Sequence, residues 1–142
     1  MPQIVESRYA LTVRPLHAVF VGGALSLFLG AALSDVAYAM LFDIQWNNFA
    51  SWLLVGALLF GGVAMVLAII DLFRPYQRAR GIIPYALVLI AAWIVGFFNA
   101  LIHARDAWAS MPTGLVLSVI TVVLAGAATW LGFRTPYIRG AV

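Results

Sequence analysis

The feature that most constrains this chain is the stretch from Leu16 to Leu41, which reads LHAVFVGGALSLFLGAALSDVAYAML and is almost entirely apolar. A helix needs about 20 such residues to cross a hydrocarbon core roughly 30 Å thick. Three further stretches of this kind follow. The four predicted helices cover about residues 16–41, 49–73, 82–103 and 113–133. The pattern predicts an all-α membrane protein, a single four-helix transmembrane domain with short loops.

The composition points to the same class of protein. Of the 142 residues, 65% are hydrophobic and 9% are charged, whereas a soluble domain carries about 25% charged residues. The chain has no cysteine, which excludes disulfides and thiolate metal ligands. Every positive charge is an arginine, and arginines dispersed among apolar stretches are typical of topology signals and lipid anchors. We therefore expect a lipid bilayer and other membrane subunits, or a second copy, as partners, and no nucleic acid.

The arginines also predict the orientation of the chain. Seven of the eight lie in the N-terminal segment, the second loop or the C-terminal tail, and only Arg105 lies in the third loop. Because positive charge stays in the cytoplasm, both termini are predicted to be cytoplasmic, in a multi-pass protein of a bacterial inner membrane. The predicted headgroup anchors are Arg14, Arg74, Arg78, Arg80, Arg134 and Arg139.

Two of the predicted helices end in a similar motif. Helix 2 ends in FRPYQR from Phe73, and helix 4 ends in FRTPYIR from Phe133. Helices 1 and 3 both begin near a proline, Pro15 and Pro84. One interpretation is a tandem duplication of a helical hairpin, with copies related by an axis along the membrane normal. The other is that Arg, Pro and Tyr are usual at a membrane interface.

Small side chains recur every fourth residue in the first predicted helix. A stripe of this kind lets two helices approach closely in lipid. It therefore predicts a packing face, either within the chain or against a partner. The four positions are Gly22, Ser26, Gly30 and Ser34.

Polar residues within the predicted helices form a layer near the periplasmic side: Asp35, Tyr38, Asn99 and His103. Ionisable groups are costly in lipid and so are candidates for a role. We expect Asp35 to turn into the bundle and to bond with Asn99 or His103, which lie one turn apart on helix 3. Two interpretations stay open, a structural bond between helices 1 and 3 or a proton or ligand site.

The two histidines, His17 and His103, are the candidate cofactor ligands. They stand at opposite ends of their helices, roughly 25–30 Å apart, so one haem cannot bridge them. A haem b held by His103 and a methionine, or a quinone near His103, remains an alternative. No set of residues converges on a metal, and no motif of a soluble enzyme occurs. The sequence leaves enzymatic activity open and favours a non-catalytic role.

Short motifs along the chain resemble the DUF2231 family of predicted bacterial membrane proteins, over about residues 12–142. They are RPLH from Arg14, SD at Ser34, NAL from Asn99 and WLG from Trp130. The family typically opens on H-P-x-H, and here Arg14 stands in place of the first histidine. This departure weakens the carry-over of a two-histidine site at the start of helix 1.

The expected function follows from these observations together. The resemblance implies a family of unknown function, with a loose association with electron-transfer complexes. We expect an accessory or scaffold subunit of a larger membrane complex. The alternative is a redox or small-molecule-binding protein that uses the polar layer, with haem b or a quinone as its ligand.

Overall fold

A computed structural model of the chain describes residues 15–73, 81–105 and 109–134. Within these ranges the regular structure is entirely helical. The helices are α1 (Pro15–Leu41), α2 (Ile44–Leu72), α3 (Ile82–His103) and α4 (Thr113–Phe133). Each is long and apolar enough to cross a membrane. The prediction of an all-α protein with four transmembrane helices is confirmed.

The connection between α1 and α2 is shorter than the sequence predicts. A loop is expected over residues 42–48, with helix 2 beginning at Phe49, but α2 begins at Ile44. Asp43 explains the difference. Its backbone is extended, and its Oδ1 accepts a hydrogen bond from the Gln45 N–H at 3.0 Å. Because this carboxylate caps the first turn, the polar segment becomes helix instead of loop.

The four helices form a ring in which each contacts two neighbours. α1 and α3 both pack against α2 and α4, and short connections make successive helices antiparallel. Two side-chain pairs cross the diagonal from α1 to α3, His17 with Tyr85 and Asp35 with His103, and each pair is 68 positions apart in sequence. α1 and α3 therefore run parallel with a constant offset in sequence. The aligned part extends from position 17 to position 35 of α1, a length of about 27 Å.

The interior of the bundle is built mainly from small side chains. The fully buried alanines are Ala31, Ala50, Ala57, Ala64 and Ala128. At Gly96 a Cβ atom would lie 2.8 Å from the ring of Phe28, so glycine is needed where α3 approaches α1. Small residues allow this close approach in lipid, where dispersion contacts hold helices together.

The outer surface carries large apolar side chains on every helix. A helix that exposes apolar residues outside a packed bundle is suited to contact with lipid. Examples are Val19, Trp52, Leu59, Leu87, Val123 and Trp130. Among the described residues, the buried aspartate and both histidines lie at the two diagonal contacts, near opposite ends of the bundle.

Candidate functional site

Asp35 is the centre of a buried polar cluster near one end of the bundle. It lies on the inward face of α1 together with Phe28, Ala31 and Tyr38, all of them buried. Spacings of three and four residues place these side chains in one stripe. The Asp35 side chain has no exposed surface, although it stands six residues before the end of α1. Its environment is therefore set by α3 and α4 and not by solvent.

His103, the last residue of α3, bonds to Asp35 across the bundle. Its Nε2 lies 2.7 Å from Oδ1 of Asp35, and its Nδ1 lies 2.9 Å from the Asn99 carbonyl oxygen. A carbonyl oxygen only accepts hydrogen bonds, so Nδ1 must carry a hydrogen. One further hydrogen then lies between Nε2 and Oδ1. The pair is either an imidazolium with a carboxylate or a neutral imidazole with a carboxylic acid.

Ser118 connects α4 to the same carboxyl group. Its hydroxyl donates to Oδ2 of Asp35 at 2.5 Å and accepts from Nδ2 of Asn99 at 2.7 Å. Both oxygens of Asp35 are therefore engaged, one by α3 and one by α4. His103 and Ser118 bond to Asp35 directly and Asn99 bonds to Ser118, so these hydrogen bonds join α1, α3 and α4.

Gly114, in the first turn of α4, provides the space for the histidine ring. A Cβ atom at this position would lie 2.8 Å from Cε1 of His103 and 3.4 Å from both ring nitrogens. A distance of 2.8 Å is too short for two carbon atoms. Any larger residue would therefore force either the His103 ring or the start of α4 to shift.

One polar atom of the cluster has no partner. Oδ1 of Asn99 is buried and accepts no hydrogen bond within the part of the chain that the structure describes. A buried acceptor without a donor costs free energy. This oxygen is the one group of the cluster that a water molecule or a small ligand could satisfy.

A second polar contact lies at the same end of the bundle. Ser110, just before α4, donates to Oδ1 of Asn47 in α2 at 3.1 Å, and both are buried. Tyr38 is also buried, one turn beyond Asp35 on α1. All four helices therefore contribute polar side chains to this end, although α2 does not bond to Asp35 itself.

His17 stands at the opposite end and contacts a different partner. Its Nε2 lies 2.8 Å from the hydroxyl of Tyr85, with the two rings edge to face. Tyr85 precedes His103 by 18 positions on α3, so the two histidines are separated by about 27 Å along the bundle. They do not converge on one haem.

Haem ligation by His103 and a methionine stays a hypothesis, and it would change this arrangement. Both of its ring nitrogens are hydrogen-bonded, and an iron atom would have to displace one of these bonds. Among the described residues no group of three or more His, Asp or Glu side chains could hold a metal ion. The arrangement is suited to sharing a proton between Asp35 and His103.

A family model for predicted membrane proteins, DUF2231, matches residues 13–141. The chain belongs to the DUF2231 family. The match agrees with the resemblance found in the sequence, and it includes every residue of the polar cluster. No curated protein and no solved structure matches the chain. The family identifies a multi-pass membrane protein and assigns no activity to it.

The small-residue stripe of this DUF2231 protein is divided between two environments. Gly30 faces Leu53 of α2, with 3.2 Å between its Cβ position and the leucine Cδ1, and Ser34 is buried. Ser26 is exposed, and a Cβ at Gly22 would meet no atom within 4 Å. Half of the stripe packs within the bundle, and a contact of the other half with a partner stays a prediction.

Most of the predicted headgroup anchors lie outside the described ranges. Those are Arg14, Arg74, Arg78, Arg80 and Arg139. Arg134 is described; it follows α4 and is exposed. The repeated motif after Phe73 and Phe133 also lies mostly outside these ranges. The duplication of a helical hairpin in this DUF2231 chain therefore stays a prediction.

Two residues of the cluster do not follow from the sequence analysis. The sequence does not single out Ser118, because a serine in an apolar helix has no distinctive signal. It does not single out Gly114 either, because a glycine near the start of a helix is a common local feature. The sequence signal that could have identified them is their position across the membrane. Both residues lie within a few positions of the start of α4, which is level with the end of α3.

Proposed function

We propose that this DUF2231 protein is a non-catalytic accessory or scaffold subunit of a larger complex in a bacterial inner membrane. The observation that carries the proposal is the state of the polar cluster. Asp35 and His103 are buried, and each side-chain oxygen and nitrogen of this pair bonds to another group of the chain. Groups engaged in this way hold helices together and are not presented to a substrate.

The surface that remains for a partner is the lipid-facing exterior. Exposed apolar side chains cover all four helices, and the outward half of the small-residue stripe, Gly22 and Ser26, offers a place for close helix contact. An electron-transfer complex is the context that the family resemblance implies. The partner in this proposal is another membrane subunit or a second copy of the chain.

The proposal is tested by the native size of the protein in its own membranes. The tagged chain, solubilised mildly, is expected to migrate in native electrophoresis well above a detergent-bound 15.4 kDa chain. Asp35→Leu removes the carboxyl group from the helix contacts and should abolish the large species. Val36→Leu, at the exposed neighbouring position, should retain it. Migration of the unchanged chain as a lone monomer would contradict a subunit role.

The alternative function is a redox or small-molecule site in the polar cluster. The unpartnered Oδ1 of Asn99 favours it, because this oxygen can accept a hydrogen bond from a bound molecule. A visible spectrum of the purified protein separates haem from the other ligands, since a Soret band identifies haem. Organic extraction followed by chromatography detects a bound quinone. A stoichiometric ligand that Asn99→Leu eliminates, while the chain still folds, would replace the scaffold proposal.

A further inference from the structure

An open groove runs along the outer surface between α1 and α4. Its volume is about 370 Å³, and it is lined by Leu25, Gly126, Thr129, Trp130, Phe133 and Arg134. Pockets that bind small molecules have volumes of about 300–1,000 Å³. The hydroxyl of Thr129 donates to the Ala125 carbonyl oxygen within α4. The body of the groove is therefore apolar.

Gly126 is the glycine that lines the groove. A Cβ atom at this position would meet no other atom within 4 Å, so the space beside the glycine is not filled by the protein. Trp130, one turn further along α4, leaves 73% of its surface exposed. An apolar chain in this space would contact Gly126 and Trp130.

A cation stands at one end of the groove. Arg134 directly follows α4 and is exposed, and no carboxylate of the described ranges forms an ion pair with it. It is eight positions from Gly126, or about 12 Å along the helix. The groove therefore extends from the level of the helix end, where headgroups lie, into the hydrocarbon region. Trp and Phe side chains near the cation are typical of that boundary.

We propose that this groove binds one anionic phospholipid, with its phosphate on Arg134 and an acyl chain along Gly126 and Trp130. Charge complementarity selects the ligand. A guanidinium group pairs with a phosphate through two parallel hydrogen bonds, and the apolar body of the groove receives the acyl chain. A free phosphate ion would leave that apolar body empty.

The test uses Trp130 as a reporter. The full chain is placed in nanodiscs of phosphatidylcholine that contain a rising fraction of phosphatidylglycerol. Bromine atoms on the acyl chains of one lipid or the other quench nearby tryptophans. The quenching of Trp130 is obtained as the difference in quenched tryptophan fluorescence between the unchanged chain and Trp130→Phe. Phosphatidylglycerol is expected to occupy the groove about fivefold more readily than phosphatidylcholine, as one arginine near the surface predicts.

Two matched pairs of variants test the cation and the apolar body of the groove separately. Arg134→Gln should reduce the preference to about one, whereas Arg105→Gln, at the exposed arginine of the opposite end, should leave it unchanged. Gly126→Leu fills the groove and should reduce quenching of Trp130 by both lipids. Ala127→Leu, at the next and exposed position of α4, should not.

Three results would overturn the proposal. The first is equal quenching by the two lipids in the unchanged chain. The second is a preference that survives in Arg134→Gln. The third is a Trp130 that neither lipid quenches, which would show that a second copy or another subunit covers the groove. The first two results do not depend on whether the chain is a scaffold subunit, and the third would overturn the lipid proposal while leaving the subunit proposal in place, so the two proposals fail separately.

Discussion

Asp35 is a carboxyl group kept in an apolar bundle by two partners. A charged side chain at the centre of a membrane helix costs about 2.5–3.5 kcal/mol on insertion scales. The bonds from His103 and Ser118 offset part of this cost, and the shared proton makes the pair neutral overall. A buried pair of this kind contributes little net stability, but loss of one partner is costly because the other stays buried.

The first prediction follows from that asymmetry. Asp35→Leu should destabilise the bundle by about 2–5 kcal/mol, because His103 Nε2 and the Ser118 hydroxyl each lose a partner. Asp35→Asn should cost less than about 1 kcal/mol. Its amide oxygen can accept from Ser118 while its NH₂ donates to a neutral His103. Unfolding by denaturing detergent measures both changes.

Val36→Leu is the control for these variants, because position 36 is exposed on the same helix. It should unfold at the same concentration of denaturing detergent as the unchanged chain. An Asp35→Asn variant as unstable as Asp35→Leu would show that the ionised carboxylate, and not the hydrogen bonds, holds the helices together. A normal fold combined with loss of a measurable activity would instead favour a proton site.

The second prediction concerns the space beside His103. Gly114→Ala places a methyl group 2.8 Å from the ring carbon and should cost about 1–3 kcal/mol through overpacking. Gly126→Ala is the matched control, since a Cβ there meets nothing within 4 Å. It should be neutral or stabilising by about 0.5–1 kcal/mol, the difference between Gly and Ala in a helix. Equal stability of the two variants would mean that the ring moves freely.

The sequence indicates part of this site and not the rest, for a physical reason. Asp35 and His103 stand out because ionisable groups are rare in membrane helices, and their depths match. Ser118 does not stand out, because a serine can bond to its own helix. The hydroxyls of Ser26 and Ser34 do so, each donating to the carbonyl four residues earlier. Only the packed bundle shows which serine reaches another helix.

At the scale of the elements, the third prediction concerns the contact between α1 and α2. Gly30→Leu should cost about 1–3 kcal/mol, because its Cβ position already lies 3.2 Å from Leu53 and the added atoms overpack the contact. Leu29→Ile, at a half-exposed position, and Gly22→Leu, in open space, are the controls for the monomer. Thermal unfolding in detergent measures all three.

The beginning of α2 shows what hydropathy cannot predict. The segment after Leu41 is polar, and polarity at a membrane interface is typical of a loop. Helix formation there depends on Asp43, whose carboxylate caps the first turn. An aspartate before a helix is a known signal of a helix start. Here the polar residues that follow it indicate a loop instead, so the two signals conflict. The length of an apolar stretch therefore predicts that a transmembrane helix is present, but it does not predict the residue at which that helix begins.

At the scale of the whole molecule, the two diagonal contacts define its organisation. His17–Tyr85 and Asp35–His103 join α1 to α3 near opposite ends, and an apolar core of alanines and Phe28 lies between them. A proton at Asp35 has no chain of polar side chains toward His17 among the core residues described. The two diagonal contacts are therefore separate sites, and the Asp35 cluster lies near one side of the membrane.

Which side that is depends on the orientation of the chain, the subject of the last prediction. The start of α1, the connection from α2 to α3 and the end of α4 lie on one side of an antiparallel bundle, and these segments hold seven of the eight arginines. The positive-inside rule therefore predicts that these segments are cytoplasmic. The chain has no cysteine of its own. Gln45→Cys, in the first turn of α2, and Gln77→Cys, between α2 and α3, can then be labelled one at a time.

A membrane-impermeant maleimide added to intact cells should label Gln45→Cys and leave Gln77→Cys unlabelled until the membrane is opened. Both substitutions replace an uncharged glutamine, so neither changes the arginine balance that sets the orientation. The reverse pattern would place the termini outside and put the Asp35 cluster on the cytoplasmic side. Labelling of both positions in intact cells would show a mixed orientation, and the arginine argument would fail for this protein.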